Sequence, residues 1–287
     1  MIDKELEAQI QLLEDPDNQI FSMVREQIVN KGLDVIPMLE YAWGNSLIPI
    51  VHDRIENIIH EINFIQIKLA VEDWVSKGRK DWFDILYLVS KFYYQNISKE
   101  KLFDLISKIK NDIWLEINNN LTAFEKIQML NHIIYKKYEF SKAQTHKDSK
   151  NNYFISELID TKKGNDLSLG LLYLLLCEKL DLPVYGVDLP GNFILAYVDT
   201  KSLEGESFKN DVLFYINPLN KGSVFGIHEI DIYLEKNNLK TTENYYKPVS
   251  NVLILERYLE ELIGVLKNEG EDSRVEELKE IQQLISL

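Results

Sequence analysis

The sequence predicts an α+β fold in which a helical N-terminal part leads into a core with a small antiparallel sheet and closes on a helical hairpin. Three observations carry this. Apolar residues keep helical spacing to about residue 140; short β-branched and aromatic runs follow, broken by Pro-Gly and by a polar stretch at 200–210. Finally, Leu255, Leu259, Leu262 and Leu266 line one closing helix and Val275, Leu278, Ile281 and Ile285 line another, with Gly270 between them. The expected organisation is a helical region at 1–80, a helical subdomain at 81–150, the core at 151–250 and the hairpin at 251–287.

Taken in order, Leu12-Leu13-Glu14-Asp15-Pro16-Asp17 makes a turn and a helix start, and Ile20, Val24 and Ile28 continue at helical spacing. Gly32 ends that segment and Asp34 is expected to cap the next, which carries Pro37 and Leu39; the run from Pro49 to Ile55 opens another helix. The Asp-Pro-Asp entry, Val24-Arg25 and the early Pro37 resemble a HEAT-type repeat, the match covering one repeat and part of another. Trp82, Ile85, Leu86 and Val89 mark one helix face, Leu102, Leu105, Ile106 and Ile109 another, and 121–138 adds a further helix. Residues 141–152 have no apolar period and read as a loop. The segment 168–180 is apolar nearly all round, which marks a central helix covered on most sides. Strands are expected at 184–189, 193–198 and 212–216.

The chain has 287 residues and a formal charge of −14, with a pI near 4.9. Phosphate backbones and anionic membranes are bound by basic faces, so neither nucleic acid nor a membrane surface is an expected partner. No apolar run reaches the ~18 residues of a membrane span, and the start Met1-Ile2-Asp3-Lys4-Glu5 lacks a signal-peptide pattern, so a cytoplasmic location is expected. The one cysteine, Cys177, follows Leu174-Leu175-Leu176 and reads as a buried structural thiol.

The chemistry-bearing motifs sit in the core. Gly164-Asn165-Asp166-Leu167-Ser168-Leu169 opens the central helix and Tyr173 follows within it; Leu189-Pro190-Gly191-Asn192-Phe193 and Ile216-Asn217-Pro218 come next. In that order they resemble the SirB-type branch of the transglutaminase-like superfamily, whose patterns are Gly-x-Pro-x-Ser-Leu-x-x-x-Tyr, Leu-Pro-Gly-His-Phe and Ile-Asp-Pro. Lys247-Pro248-Val249-Ser250-Asn251 and the closing helices fit the branch's tail, which resembles a TPR-type hairpin.

The resemblance implies a papain- or transglutaminase-like core in which a helix N-terminus and two strands each present one residue to a shared cleft. Active members place there a cysteine, a histidine that activates it and a carboxylate that orients the histidine. In this chain Asp166 or Ser168 falls at the nucleophile slot, Asn192 at the histidine and Asn217 at the carboxylate. An asparagine amide cannot accept a proton at neutral pH, so the triad reads as degenerate. Asp166 reads as a helix N-cap, and Asn192 and Asn217 are read equally as turn residues or as lining of a binding cleft. The implied function is a non-catalytic, cytoplasmic protein- or peptide-binding or regulatory module with Asp166, Ser168, Tyr173, Asn192 and Asn217 in its binding cleft and no cofactor. A divergent hydrolase or acyltransferase using Ser168 or Asp166 and a scaffold whose helical repeats bind a partner are the alternatives.

Elsewhere, His52-Asp53 and His60-Glu61 lie eight apart on one helix face, a spacing open to a metal but read here as surface. His132, His146 and His228 stand alone, and no phosphate-binding glycine loop occurs, so no metal or nucleotide is expected. Most of Trp43, Trp74, Trp82 and Trp114 read as core anchors, and one exposed on a concave helical face would be a good binding hot spot. The acidic runs at 256–261 and 276–280 read as solvated helix faces.

Overall fold

The computed structural model describes residues 4–144, 149–199 and 212–286, so His146 and the polar stretch 200–210 lie outside it. Its contacts divide the chain into a unit Met1–Ala70 and a unit Val71–Leu287.

In the first unit α1 (Lys4–Gln11) and a short turn lead to α2 (Asn18–Val29). Asp17 caps α2 by accepting from the Gln19 amide at 2.7 Å, which satisfies one of the free N–H groups of the first turn. Asp34 does not cap α3 (Ile36–Asn45); it sits inside a 3-10 turn, Gly32–Val35, and Pro37 enters the first turn of α3, where its missing N–H has no partner to lose. α4 (Pro49–Ser76) begins in this unit and runs on beyond it. Val24 and Ile28, Val35 and Leu39, and Ile55, Ile58 and Ile62 point inward at helical spacing and close one apolar core. Arg54 is a buried cation in that core. It donates to the carbonyls of Leu13 and Asp15 at 2.7 Å each and lies 4.2 Å from the centre of the Phe21 ring, so its charge meets carbonyl dipoles and a π face.

In the second unit α5 (Trp82–Tyr93), α6 (Lys99–Glu116) and α7 (Ala123–Asn131) come first. Leu105, expected in the buried stripe of α6, is 43% exposed, because the stripe runs through Leu102, Ile106, Ile109 and Ile113 and Leu105 falls at its edge. The helix expected at 121–138 starts at a Thr122–Glu125 capping box and ends in a wider π-type turn, His132–Lys137. The expected loop at 141–152 holds a short strand, β1 (Ser141–Lys142), paired in parallel with β2 (Lys163–Gly164). Two residues are too few for any alternation to show in sequence.

After α8 (Ile155–Thr161) comes α9 (Asp166–Glu178), in which every residue from Leu167 to Cys177 is buried. One side of α9 meets α5, α6 and α8; the other meets the sheet. The sheet runs β3 (Val184–Leu189), β4 (Asn192–Val198), β5 (Val212–Asn217) and β6 (Ser223–Phe225), antiparallel throughout. The short β6 was not legible as a strand. Gly170 lets α9 approach β4 closely: a Cβ there would stand 2.5 Å from the Phe193 ring. On the opposite face of the sheet Val187, Ile194, Ala196 and Tyr215 pack with Ile230 and Leu234 of α10 (Ile227–Lys236). α11 (Asn251–Asn268) and α12 (Asp272–Ser286) form the closing hairpin, with Leu255, Leu259, Leu262 and Leu266 meeting Val275, Leu278, Ile281 and Ile285 as buried positions. No helix among the described residues is long and apolar enough to cross a membrane.

Cys177 is 0% exposed in α9, and burial pushes its thiol up from the usual cysteine range. The expected result is slow alkylation of the native protein at neutral pH, at the rate of unfolding. Labelling at the rate of a free thiol would show that the helix opens locally.

Candidate functional site

The site is assembled at the N-terminus of α9. Asn165 is the N-cap there: its side chain accepts from the Ser168 amide at 2.8 Å while the Ser168 hydroxyl oxygen accepts from the Asn165 amide at 3.0 Å. The cap expected of Asp166 therefore belongs to its neighbour, one residue earlier. Asp166, as the first residue of the helix, reaches sideways and accepts from the Phe193 amide of β4 at 2.8 Å. That amide lies just beyond the last residue pair of β4 with β5, so the carboxylate completes a ladder that β5 leaves unfinished.

Asp166 borders a cavity of about 160 Å³, together with Asn165, Gly191, Leu219, Arg257 and Glu261. β1 and β2 bring Lys142 and Gly164 to its lining, and Asn152 and Tyr153, from the turn ahead of α8, join them there. Arg257 of α11 forms much of the wall. Its Nη1 donates to Asp188 Oδ1 at 2.6 Å and to the Leu189 carbonyl at 3.0 Å, and its Nε donates to Glu261 Oε1 at 3.0 Å. Burial works against the guanidinium charge, but the carboxylates of Glu261 and Asp188 more than offset it and leave its pKa above the ordinary arginine value. Tyr153 donates to the other Glu261 oxygen at 3.4 Å and, through its carbonyl, accepts from Tyr258 at 3.3 Å. The wall is thus a hydrogen-bonded chain whose charges are fixed before anything binds.

The remaining residues expected at the site fall as follows. Ser168 is 1% exposed and engaged in the capping box. Tyr173 is 0% exposed, and its hydroxyl donates to Asn131 Oδ1 at 3.0 Å, away from the cavity. Asn192, half-buried, opens β4. Asn217 ends β5, and its side chain accepts from the Asn220 amide at 3.1 Å, capping the turn Pro218–Asn220 that carries Leu219 to the cavity. Ala196 pairs with Tyr215, and Asn192 and Asn217 stand an even number of residues from them, so both asparagines belong to the α10 face of the sheet. Phe193 belongs to the α9 face. Asp166 and Asn192 are neighbours through the Phe193 amide, whereas Asp166 alone of the five residues borders the cavity.

Sequence reasoning missed Arg257, Glu261, Tyr153 and Asn165. Arg257 and Glu261 carried one signal, an opposite-charge pair four residues apart on a helix, but it was absorbed into an acidic run read as solvated. Glu261 in fact turns to the cavity wall. Among the described residues lining the cavity there is neither histidine nor cysteine. His52, weighed as a metal ligand, stacks on Trp43 with 4.8 Å between ring centres and bonds the Ser46 carbonyl at 2.8 Å.

A central buried helix whose N-terminus meets an antiparallel sheet beside a small cleft is the arrangement that the ordered motifs led us to expect. The sequence pattern of the transglutaminase-like superfamily matches residues 99–260, more than half of the chain, and the chain belongs to that superfamily. It is similar to protein SirB1 of Salmonella typhimurium, 23% identical over 65% of this chain and 66% of SirB1. It is also similar to a UPF0162 protein of Buchnera aphidicola subsp. Schizaphis graminum, 28% identical over 60% of this chain and 61% of that protein. The chain thus spans less than two thirds of the length of these relatives. F-box only protein 21 of Homo sapiens is 22% identical over 54% of this chain and 24% of its own length. No solved structure matches the chain.

Proposed function

We propose that this protein is a non-catalytic transglutaminase-like module of the cytoplasm that recognises a protein or peptide through the cleft at α9 and through its HEAT-like helical region. The observation that carries this reading is how the polar atoms at the degenerate slots are used. Asp166 accepts from the Phe193 amide, Ser168 from the Asn165 amide and Asn217 from the Asn220 amide, so each is engaged in holding backbone. A nucleophile needs a base within hydrogen-bond reach, and an asparagine at position 192 supplies none.

The cleft supports recognition in another way. Its cavity of about 160 Å³ shares Lys142, Ala143 and Leu219 with a neighbouring one of about 510 Å³, and Gly191, Arg257 and Glu261 with another of about 400 Å³, so the cleft as a whole is in the ~300–1,000 Å³ range of sites that take more than one side chain. A short peptide segment is a matching size. The mixed lining of Asp166, Glu261, Arg257 and Lys142 suits a polar group better than an aliphatic one. Similarity to only 24% of F-box only protein 21 is in keeping with a domain used as one part of a larger protein.

The test is to incubate the native protein and an Asp166→Ala variant with peptide, amide and glutamine acyl-donor substrates. Neither should exceed the uncatalysed rate. Turnover by the native protein that disappears in Asp166→Ala would establish the divergent-hydrolase reading instead.

A further inference from the structure

The turn between α3 and α4 carries an apolar surface that the first unit's core does not absorb. Leu47 is 95% exposed, Ile50 46%, Trp43 41% and Ile48 39%, within one stretch of eight residues. Scattered exposed apolar residues need no explanation, but a contiguous group containing tryptophan does. The tryptophan is also held in place. Trp43 stacks on His52, its Nε1 donates to Glu56 at 3.0 Å, and His52 bonds the Ser46 carbonyl at 2.8 Å. An exposed aromatic fixed by its own neighbours has little side-chain freedom left to lose on binding, the property that distinguishes anchors at interfaces.

The charges around this surface choose its partner. Glu40, Asp53 and Glu56 are exposed around it. Arg54, the one lysine or arginine in the sequence between Lys31 and Lys68, is turned into the core onto the Leu13 and Asp15 carbonyls. The rim is therefore acidic. A second copy of this surface would set like charges against each other, and an anionic bilayer would repel it. An amphipathic helix with leucine-like residues on one face and lysine or arginine along its flanks satisfies both the apolar centre and the rim.

We propose that the α3–α4 turn is a docking site for a basic amphipathic helix of a partner protein, with Trp43, Leu47 and Ile50 as its apolar contacts and Glu40 and Asp53 as its charge readers. The proposal stands apart from the cleft. Its probes are a designed helical peptide with leucines at i, i+3, i+4 and i+7 and lysines elsewhere, and a counterpart with glutamate in place of lysine, each titrated against the full chain by calorimetry.

The lysine peptide should bind saturably in a one-to-one ratio and the glutamate peptide should not. Leu47→Asp/Ile50→Asp should weaken binding by about tenfold or more, since both residues are exposed and their loss leaves the core intact. Glu40→Lys/Asp53→Lys should transfer the preference to the glutamate peptide. Asp166→Ala should leave all of this unchanged, which separates this site from the cleft. The proposal is overturned by equal affinity for both peptides, by absence of saturable lysine-peptide binding, by a dimer that Leu47→Asp abolishes, or by binding to phosphatidylcholine–phosphatidylserine vesicles that the same variant abolishes.

Discussion

The combined variant Asp166→Cys, Asn192→His and Asn217→Asp is expected to carry a thiol whose apparent pKa lies below the ~8.5 of free cysteine, by about one to two units. Position 166 is the one to use: it opens α9 and borders the cavity, whereas Ser168 is 1% exposed inside the capping box. Part of the shift comes from the N-terminus of α9, which favours an anion, and Asp166→Cys alone should show that part. The rest requires the imidazole of a histidine at 192 to reach round the sheet edge to position 166, since Asn192 belongs to the α10 face and only the backbone amide beside it holds Asp166. No single reversion should produce hydrolysis, because the members of such a triad act as a unit and removing one forfeits nearly all of its acceleration. The measurement is the pH dependence of alkylation in the triple variant and in Asp166→Cys. If the two thiols titrate alike in folded proteins, position 192 does not hold the base slot and the degenerate triad is the wrong description.

The second large effect is on stability, at the turn that follows β5. Gly222 has φ +69°, and a Cβ there would stand 1.8 Å from Asn131 Oδ1. Asn131 is buried at the end of α7; its Nδ2 donates to the Gly222 carbonyl at 2.7 Å and its Oδ1 accepts from Tyr173 at 3.0 Å. Gly222→Ala must displace this amide and break both bonds. The left-handed backbone costs about 1–2 kcal/mol with a side chain present, and each buried group left without a partner costs a further ~1–3 kcal/mol, so a loss of about 3 kcal/mol or more is expected. In a domain of this size about 3 kcal/mol lowers Tm by roughly 6–12 °C. Asn131→Ala should cost about 2–3 kcal/mol by orphaning the Tyr173 hydroxyl and the Gly222 carbonyl. The double variant should cost clearly less than the sum, since the clash and the bonds are shared. Additive losses in urea titrations would show that the two positions do not act through one contact.

This second network also explains what Tyr173 does in the fold. It was selected from the sequence with the cleft residues because it lies in the same motif, but in the structure its hydroxyl ties α9 to α7 and, through Asn131, to the turn at Gly222. Tyr135 reinforces the tie by donating to the Pro218 carbonyl at 2.9 Å. The turn Pro218–Asn220 that brings Leu219 to the cavity is therefore held from behind by two buried hydroxyl-bearing side chains and an amide.

Features that depend on neighbours along the chain are legible from the residues alone. The all-apolar run of α9 had to be central, the runs at 184–189 and 193–198 are β-branched and aromatic and flank Pro-Gly, and the leucine stripe of α11 requires a second helix beyond Gly270. The order of the Gly164, Asn192 and Asn217 motifs was sufficient to point to the superfamily. The tertiary structure alone decided what depends on groups brought together from far apart. Glu261 looked solvated until α11 was laid beside β3 and Arg257 met Asp188, 69 residues away. Asp166 looked like a cap until an unpaired strand amide, 27 residues on, offered it a better use than its own helix could. A carboxylate's hydrogen-bond capacity is local, but the donor it satisfies is set by where β5 stops pairing with β4, and no spacing along the chain records that.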